Sequence, residues 1–177
     1  MKILLLTPLF PPDTGDPADY VKELAARLTE HEVSVLMYGR LPESVPSATV
    51  VAVDKRQWLP LRLLKYAKAL WLDSKAAELI IINNAPSTEL PALLVSYFRP
   101  HKMLLCASDP LATTAAKSGL YKIVHQLLMR RCKKTIILPD GAVYKKPEVL
   151  PFTEIDESVY TKREDWWSNH INELTTI

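Results

Sequence analysis

The chain has 177 residues, 48% of them apolar and 24% charged, with a formal net charge of +2. That length suits one ordinary domain with its own core, and that apolar content excludes a chain disordered throughout. The small net charge argues neither for nor against a nucleic acid or an anionic membrane as partner.

Lys2 to Thr7 is an apolar run without alternation, the pattern of a strand buried on both faces in a parallel sheet. Pro8 interrupts this run, which is too short for a signal peptide or a membrane span. A loop from Leu9 to Gly15 follows, and a helix is expected from Asp16 to Glu30. Asp16 suits a helix cap, Pro17 the first helical position and Asp19 the first turn. Val21, Leu24, Ala25 and Leu28 are its sheet-facing side.

Strands are expected over Glu32–Tyr38 and Thr49–Val53, then a helix from about Pro60 to Ala77. Its apolar stripe is Leu63, Leu64, Ala67, Leu70 and Trp71. Arg62, Lys65 and Lys68 share another face, which reads as a solvated flank or as peripheral contact with an anionic membrane, with Trp58 and Tyr66 near the interface. Glu78–Ile82 is a fourth strand, Glu89–Phe98 a helix and Lys102–Cys106 a fifth strand. Asp109-Pro110 repeats the logic of Asp16-Pro17 and opens a short helix that Gly119 ends. Leu120, Ile123, Val124, Leu127 and Leu128 mark another helix. The basic run Arg130-Arg131-Cys132-Lys133-Lys134 closes it and complements its dipole; without interleaved aromatics it gives no nucleic-acid signal. Thr135–Leu138 is a sixth strand, Pro139-Asp140-Gly141 a turn, Glu148–Pro151 an extended piece and Phe152–Tyr160 irregular. A last helix runs from Lys162 to Leu174 behind a Thr161 cap, with Trp166, Trp167, His170, Ile171 and Leu174 on its apolar side. This order predicts an α/β fold: a single Rossmann-like, doubly wound, mostly parallel sheet with helices on both faces.

Ligands of such sheets bind beyond the carboxyl ends of the strands. Three loops meet that description: Phe10–Asp16, Asn83–Thr88 and Ala107–Asp109. The candidate ligand-binding residues are Gly15, Asp16, Asn83, Asn84 and Ser108, with Asp109 as a candidate base or hydroxyl acceptor. Asn83 and Asn84 suit sugar hydroxyls and equally suit a turn whose backbone they satisfy. Asp16 and Asp109 also read as helix caps alone, and Gly15 as the residue of a tight turn. An aspartate at a helix N-terminus fills the place a ligand phosphate would take, so Asp16 argues against tight phosphate binding there. The histidines show no metal-ligand spacing, and no G-x-S-x-G elbow is present. Cys106 and Cys132 lie far apart and read as reduced thiols of a cytoplasmic protein.

Ile3-Leu4-Leu5-Leu6-Thr7-Pro8, Pro11-Pro12, Gly15, Tyr20-Val21 and Glu23-Leu24-Ala25 through Leu28 resemble the start of family 4 glycosyltransferases. The resemblance is closest as far as about Arg40 and continues in element order to about Asp156. Where that family usually has two adjacent glycines, this chain has Gly15-Asp16. The resemblance implies half of a GT-B architecture, two Rossmann-like domains facing across a cleft. Residues 1–156 correspond to the N-terminal, acceptor-side domain, and 157–177 to a closing helix that packs back on it. Val149–Asp156 looks like the hinge, and Asp165–Leu174 like the final helix. The donor-binding domain has no counterpart in the sequence, so no cofactor is expected here, and a nucleotide-sugar would bind only with a partner domain. The implied partners are a donor-binding subunit or a second copy of the chain, with a glycan or lipid-linked acceptor. Three roles stay open: the acceptor half of a sugar-transfer site, inactive alone; a degenerate protein that binds a glycan or a protein; and a small nucleotide-binding protein.

Overall fold

The computed structural model describes residues 1–138 and 157–176, with the backbone alone for 157–160. Six strands form one sheet: β1 (Lys2–Thr7), β2 (Glu32–Tyr38), β3 (Ala48–Val53), β4 (Leu79–Asn83), β5 (Lys102–Ala107) and β6 (Lys134–Ile137). Their order is β3-β2-β1-β4-β5-β6, and every pairing between them is parallel. This is the doubly wound Rossmann-like order, with its topological switch point between β1 and β4. The helices are α1 (Asp16–Arg27), α2 (Leu59–Asp73), α3 (Pro86–Phe98), α4 (Pro110–Ala115), α5 (Gly119–Met129) and α6 (Glu157–Thr175).

β1 divides its side chains between two cores, as strand geometry requires. Ile3 and Leu5 join Phe10, Tyr20, Leu24 and Trp167 on the face covered by α1 and α6. Leu4 and Leu6 join Tyr66, Leu70, Leu105 and Leu128 on the face covered by α2, α3 and α5. A strand buried on both faces has no room for polar alternation, which is why the run reads as continuously apolar.

Several boundaries depart from the sequence pattern, each for a local reason. α1 begins at Asp16 with Gly15 in the cap position, so Asp16 is the first helical residue and not the cap. Gly15 has φ 141°, a conformation open to glycine and strained for other residues. α3 begins at Pro86 and not at Glu89, since proline suits the first turn of a helix. It also contains Pro91, which cannot donate to the Ser87 carbonyl one turn back. The Tyr38 hydroxyl donates to that carbonyl instead, at 2.8 Å. Gly119 opens α5, with φ 65°, and α6 begins at Glu157, which puts Thr161 inside the helix.

The apolar stripes of α2 and α5 are narrower than the sequence suggests, because Leu64, Leu120 and Ile123 are exposed. Tyr66 is fully buried, which corrects its expected place near a membrane interface. Its ring stacks on Tyr38 at 4.3 Å and its hydroxyl donates to the Leu36 carbonyl at 3.0 Å. The turn at 139–141, the extended piece at 148–151 and the hinge expected at 149–156 lie outside the described residues.

α6 packs beside α1. Trp167 is fully buried and stacks on Tyr20, with ring centroids 5.9 Å apart. Arg27 forks onto Glu164 at 2.7 and 2.6 Å, and Arg163 reaches Glu23 at 2.7 Å.

Candidate functional site

The parallel sheet brings the loops after β1, β4 and β5 to one end, on both sides of the switch point. Asn83 ends β4, Asn84 follows it, and both are fully buried. The Asn83 amide donates to the Leu6 carbonyl at 3.2 Å, tying β4 to β1, and its oxygen accepts from the Ser108 hydroxyl at 2.8 Å. Asn84 donates to the Asp109 carbonyl at 2.9 Å and to Thr113 Oγ1 at 3.0 Å. Its oxygen accepts from the backbone N–H of Ser108 at 2.8 Å and of Asp109 at 2.9 Å. Both hydrogens and both lone pairs of the Asn84 amide are therefore occupied. Asn84 gives the rim its shape and has no polar atom left for a ligand.

Asp109 is held by that network and is half-buried. One carboxylate oxygen caps α4 by accepting from the Leu111 N–H at 2.8 Å. Among the described residues the other oxygen has no hydrogen-bond partner, so it is the polar atom this rim offers to an incoming hydroxyl. Asn83, Asn84, Ser108 and Asp109 thus come together. Gly15 lies on the same end of the sheet, one loop away, and Asp16 follows it as the start of α1.

On the other side of β1 the rim opens into a cleft of about 400 Å³ between the β1–α1 loop and the ends of β2 and β3. Phe10 and Met37 form its buried floor, and Arg40, Lys55 and Arg56 stand on its walls. Lys55 pairs with Asp13. Arg62 donates to the Lys55 carbonyl at 3.0 Å and lies 5.3 Å from the centre of the Tyr38 ring, which fixes the loop carrying Lys55 and Arg56. The sequence pattern did not single out this basic cleft. Its residues come from three separate loops, and only the parallel order brings them together.

A second group escaped the sequence reading. Glu89, in the first turn of α3, is fully buried. It accepts from the Tyr121 hydroxyl at 2.6 Å and meets His125 Nδ1 at 2.9 Å. Burial pushes its carboxyl up from the usual range, against the lowering effect of these two partners. A lone glutamate in an apolar helix, and a Tyr and His one turn apart on another, were the available signals. On the opposite face, burial pushes His170 down to about 4. The imidazole is neutral at pH 7, and its Nε2 shares a hydrogen bond with the Tyr20 hydroxyl across 2.7 Å. Among the described residues no His, Cys, Asp and Glu side chains gather to hold a metal ion, and no helix is long and apolar enough to cross a membrane.

No protein-family model matches the chain, and no curated protein matches it. Among solved structures it is similar to a putative UDP-N-acetylglucosamine 2-epimerase from Listeria monocytogenes, with a TM-score of 0.51 and 12% identity. The match covers 76% of this chain and 38% of the epimerase, so the chain spans well under half of that protein's length. The C-terminal domain of the coenzyme A biosynthesis bifunctional protein CoaBC matches over 96% of both chains, at 10% identity and a TM-score of 0.48. At such identities the likeness to the epimerase concerns the fold. The protein is a Rossmann-like α/β domain.

Proposed function

We propose that this domain is the acceptor-side half of a sugar-transfer site, of the kind found in family 4 glycosyltransferases, and that it works opposite a second, donor-binding unit. The observation that carries this reading is Asp109, with one carboxylate oxygen fixed by the helix cap and the other without a partner among the described residues. A carboxylate held in this way can orient an acceptor hydroxyl and take its proton. Gly15 and Asp16 border the same rim, while Asn83, Asn84 and Ser108 act as its scaffold. The fold likeness to a protein named for a UDP-sugar agrees with this reading. The diphosphate of a donor would be held by the second unit, so the domain alone binds without turnover.

The test is a thermal-shift and calorimetric screen against simple glycans and UDP-, GDP- and ADP-sugars, with Asp109→Ser as control. Serine keeps a capping oxygen and removes the carboxylate. Glycan stabilisation that disappears in Asp109→Ser supports the proposal, since a ligand of the native state raises its melting temperature. Silence toward every glycan sinks it.

A second reading, a non-catalytic protein that binds another protein or a second copy, is favoured by the exposure of Leu111, Leu120 and Ile123 on α4 and α5. Sedimentation at high concentration tests the homodimer. Peripheral membrane contact is supported by exposed Trp58, Leu61 and Leu64 beside exposed Lys65 and Lys68 on α2. Arg62 contributes less, because its guanidinium is engaged with Lys55 and Tyr38.

A further inference from the structure

We infer that the cleft between the β1–α1 loop and the ends of β2 and β3 is a binding site for a phosphate monoester. It stands on the far side of β1 from Asp109 and does not depend on the acceptor reading. Three cations and one carboxylate line it, a net charge of +2. Lys55 and Asp13 neutralise each other. Among the described residues the guanidinium groups of Arg40 and Arg56 have neither a hydrogen bond nor an ion pair. The Asp54 carboxylate accepts from the Arg56 backbone N–H at 2.9 Å but is not part of the lining, so the lining itself carries a positive surplus above its apolar floor. A phosphate monoester carries close to two negative charges at neutral pH, which matches that surplus. A single carboxylate would leave half of it unmet. Arginine's planar fork is the usual partner of phosphate oxygens.

The rest of the ligand is small and partly apolar. A volume of about 400 Å³ admits a molecule of monosaccharide size, and Phe10 and Met37 offer it a dry surface. The cleft is built on fixed parts. Arg62 pins the Lys55 carbonyl, the Lys55–Asp13 pair ties the two walls, and the Gly39 N–H donates to the Val53 carbonyl at 3.0 Å. At Gly39 a Cβ would come within 2.6 Å of Met37 Cε, so a side chain there would displace the methionine that forms the floor.

The experiment titrates the full chain with glucose 6-phosphate and glycerol 3-phosphate, with glucose and glycerol as neutral controls. Vesicles of phosphatidylcholine with and without phosphatidic acid form a second arm. The esters are expected to bind and raise the melting temperature, with the neutral controls silent. Arg40→Gln combined with Arg56→Gln should weaken binding about tenfold or more, since each removes a charge-assisted contact. Both side chains are exposed, and circular dichroism confirms that the variant folds. Binding of the soluble esters identifies a free small molecule. Binding only to phosphatidic acid vesicles identifies a lipid headgroup as the source of the same chemistry. The Asp109→Ser chain should bind the ester as the parent does, so failure of this site and failure of the acceptor reading are told apart. The inference is overturned if no ester or headgroup binds, if glucose binds as tightly as its phosphate, or if binding survives the double substitution.

Discussion

The two faces of the sheet each bury a titratable group, and they handle it in opposite ways. On the face of α3 and α5, Glu89 meets a hydroxyl and an imidazole from the neighbouring helix. On the face of α1 and α6, His170 meets the uncharged Tyr20 hydroxyl and lies flat on Trp166, with ring centroids 4.5 Å apart. Burial raises the carboxyl of Glu89 and lowers the imidazole of His170 to about 4. In both cases the fold favours the neutral form, since an ion removed from water costs more than these partners return. The consequence for acid stability has opposite signs. For Glu89 the folded state holds a proton more tightly than the unfolded state, so acidification through its range stabilises the fold. For His170 the unfolded state takes the proton first, so acidification destabilises it. The α6 face is therefore expected to loosen first in acid.

The largest way to break this comparison is to remove the α6 anchor. Trp167 is fully buried between Tyr20, Trp166 and His170. Trp167→Ala should cost about 3–5 kcal/mol in urea denaturation, in line with emptied aromatic sites. The next effect is the pH response of His170 itself. Its shift from 6.5 to about 4 places the loss between those values: stability is whole above pH 6.5 and declines as pH falls toward 4, by about 3 kcal/mol in total. Hydrogen exchange at pH 5 should show α6 amides opening before those of α3. His170→Phe should flatten the acid limb, and an unchanged limb would remove His170 as its cause. On the other face, Tyr121→Phe deletes the 2.6 Å donor to Glu89 and should cost about 1–3 kcal/mol at pH 7. The deficit should shrink as pH falls and Glu89 takes up its proton, since burial raises its carboxyl.

The fold was legible because its signals are local. β1 reads as a strand buried on both sides from six residues, and the Asp-Pro starts of α1 and α4 are written in adjacent letters. Errors fell where tertiary contact overrides a local pattern. Leu64, Leu120 and Ile123 keep helical spacing yet face outward, while Tyr66, expected near a membrane interface, and Tyr121, which the pattern did not single out, carry interior hydrogen bonds. The candidate site was legible only in part. Asn83, Asn84, Ser108 and Asp109 could be placed on one rim because parallel sheets put their loops there. Nothing in Asn83-Asn84 told whether the amides face a ligand or the backbone. That is decided by the distance from Ser108 and Asp109, residues more than twenty positions away.

The smallest stability effect tests where the rim differs from both buried groups. Asp109 is half-buried, with one oxygen on the Leu111 N–H and the other open. Among the described residues its carboxylate is tied to the fold only through the cap, unlike Glu89, which is sealed in, and His170, which anchors a helix. Asp109→Ser keeps a capping oxygen, so its denaturation midpoint should stay within about 0.5 kcal/mol of the parent. Glycan binding should nevertheless be lost. A variant that loses stability instead would show the carboxylate to be a structural group like the other two. A variant that keeps both stability and glycan binding would leave the open oxygen without a role. Loss of binding at unchanged stability is the outcome that separates a ligand-facing carboxylate from a packed one, because burial and hydrogen bonding alone would have moved the midpoint first.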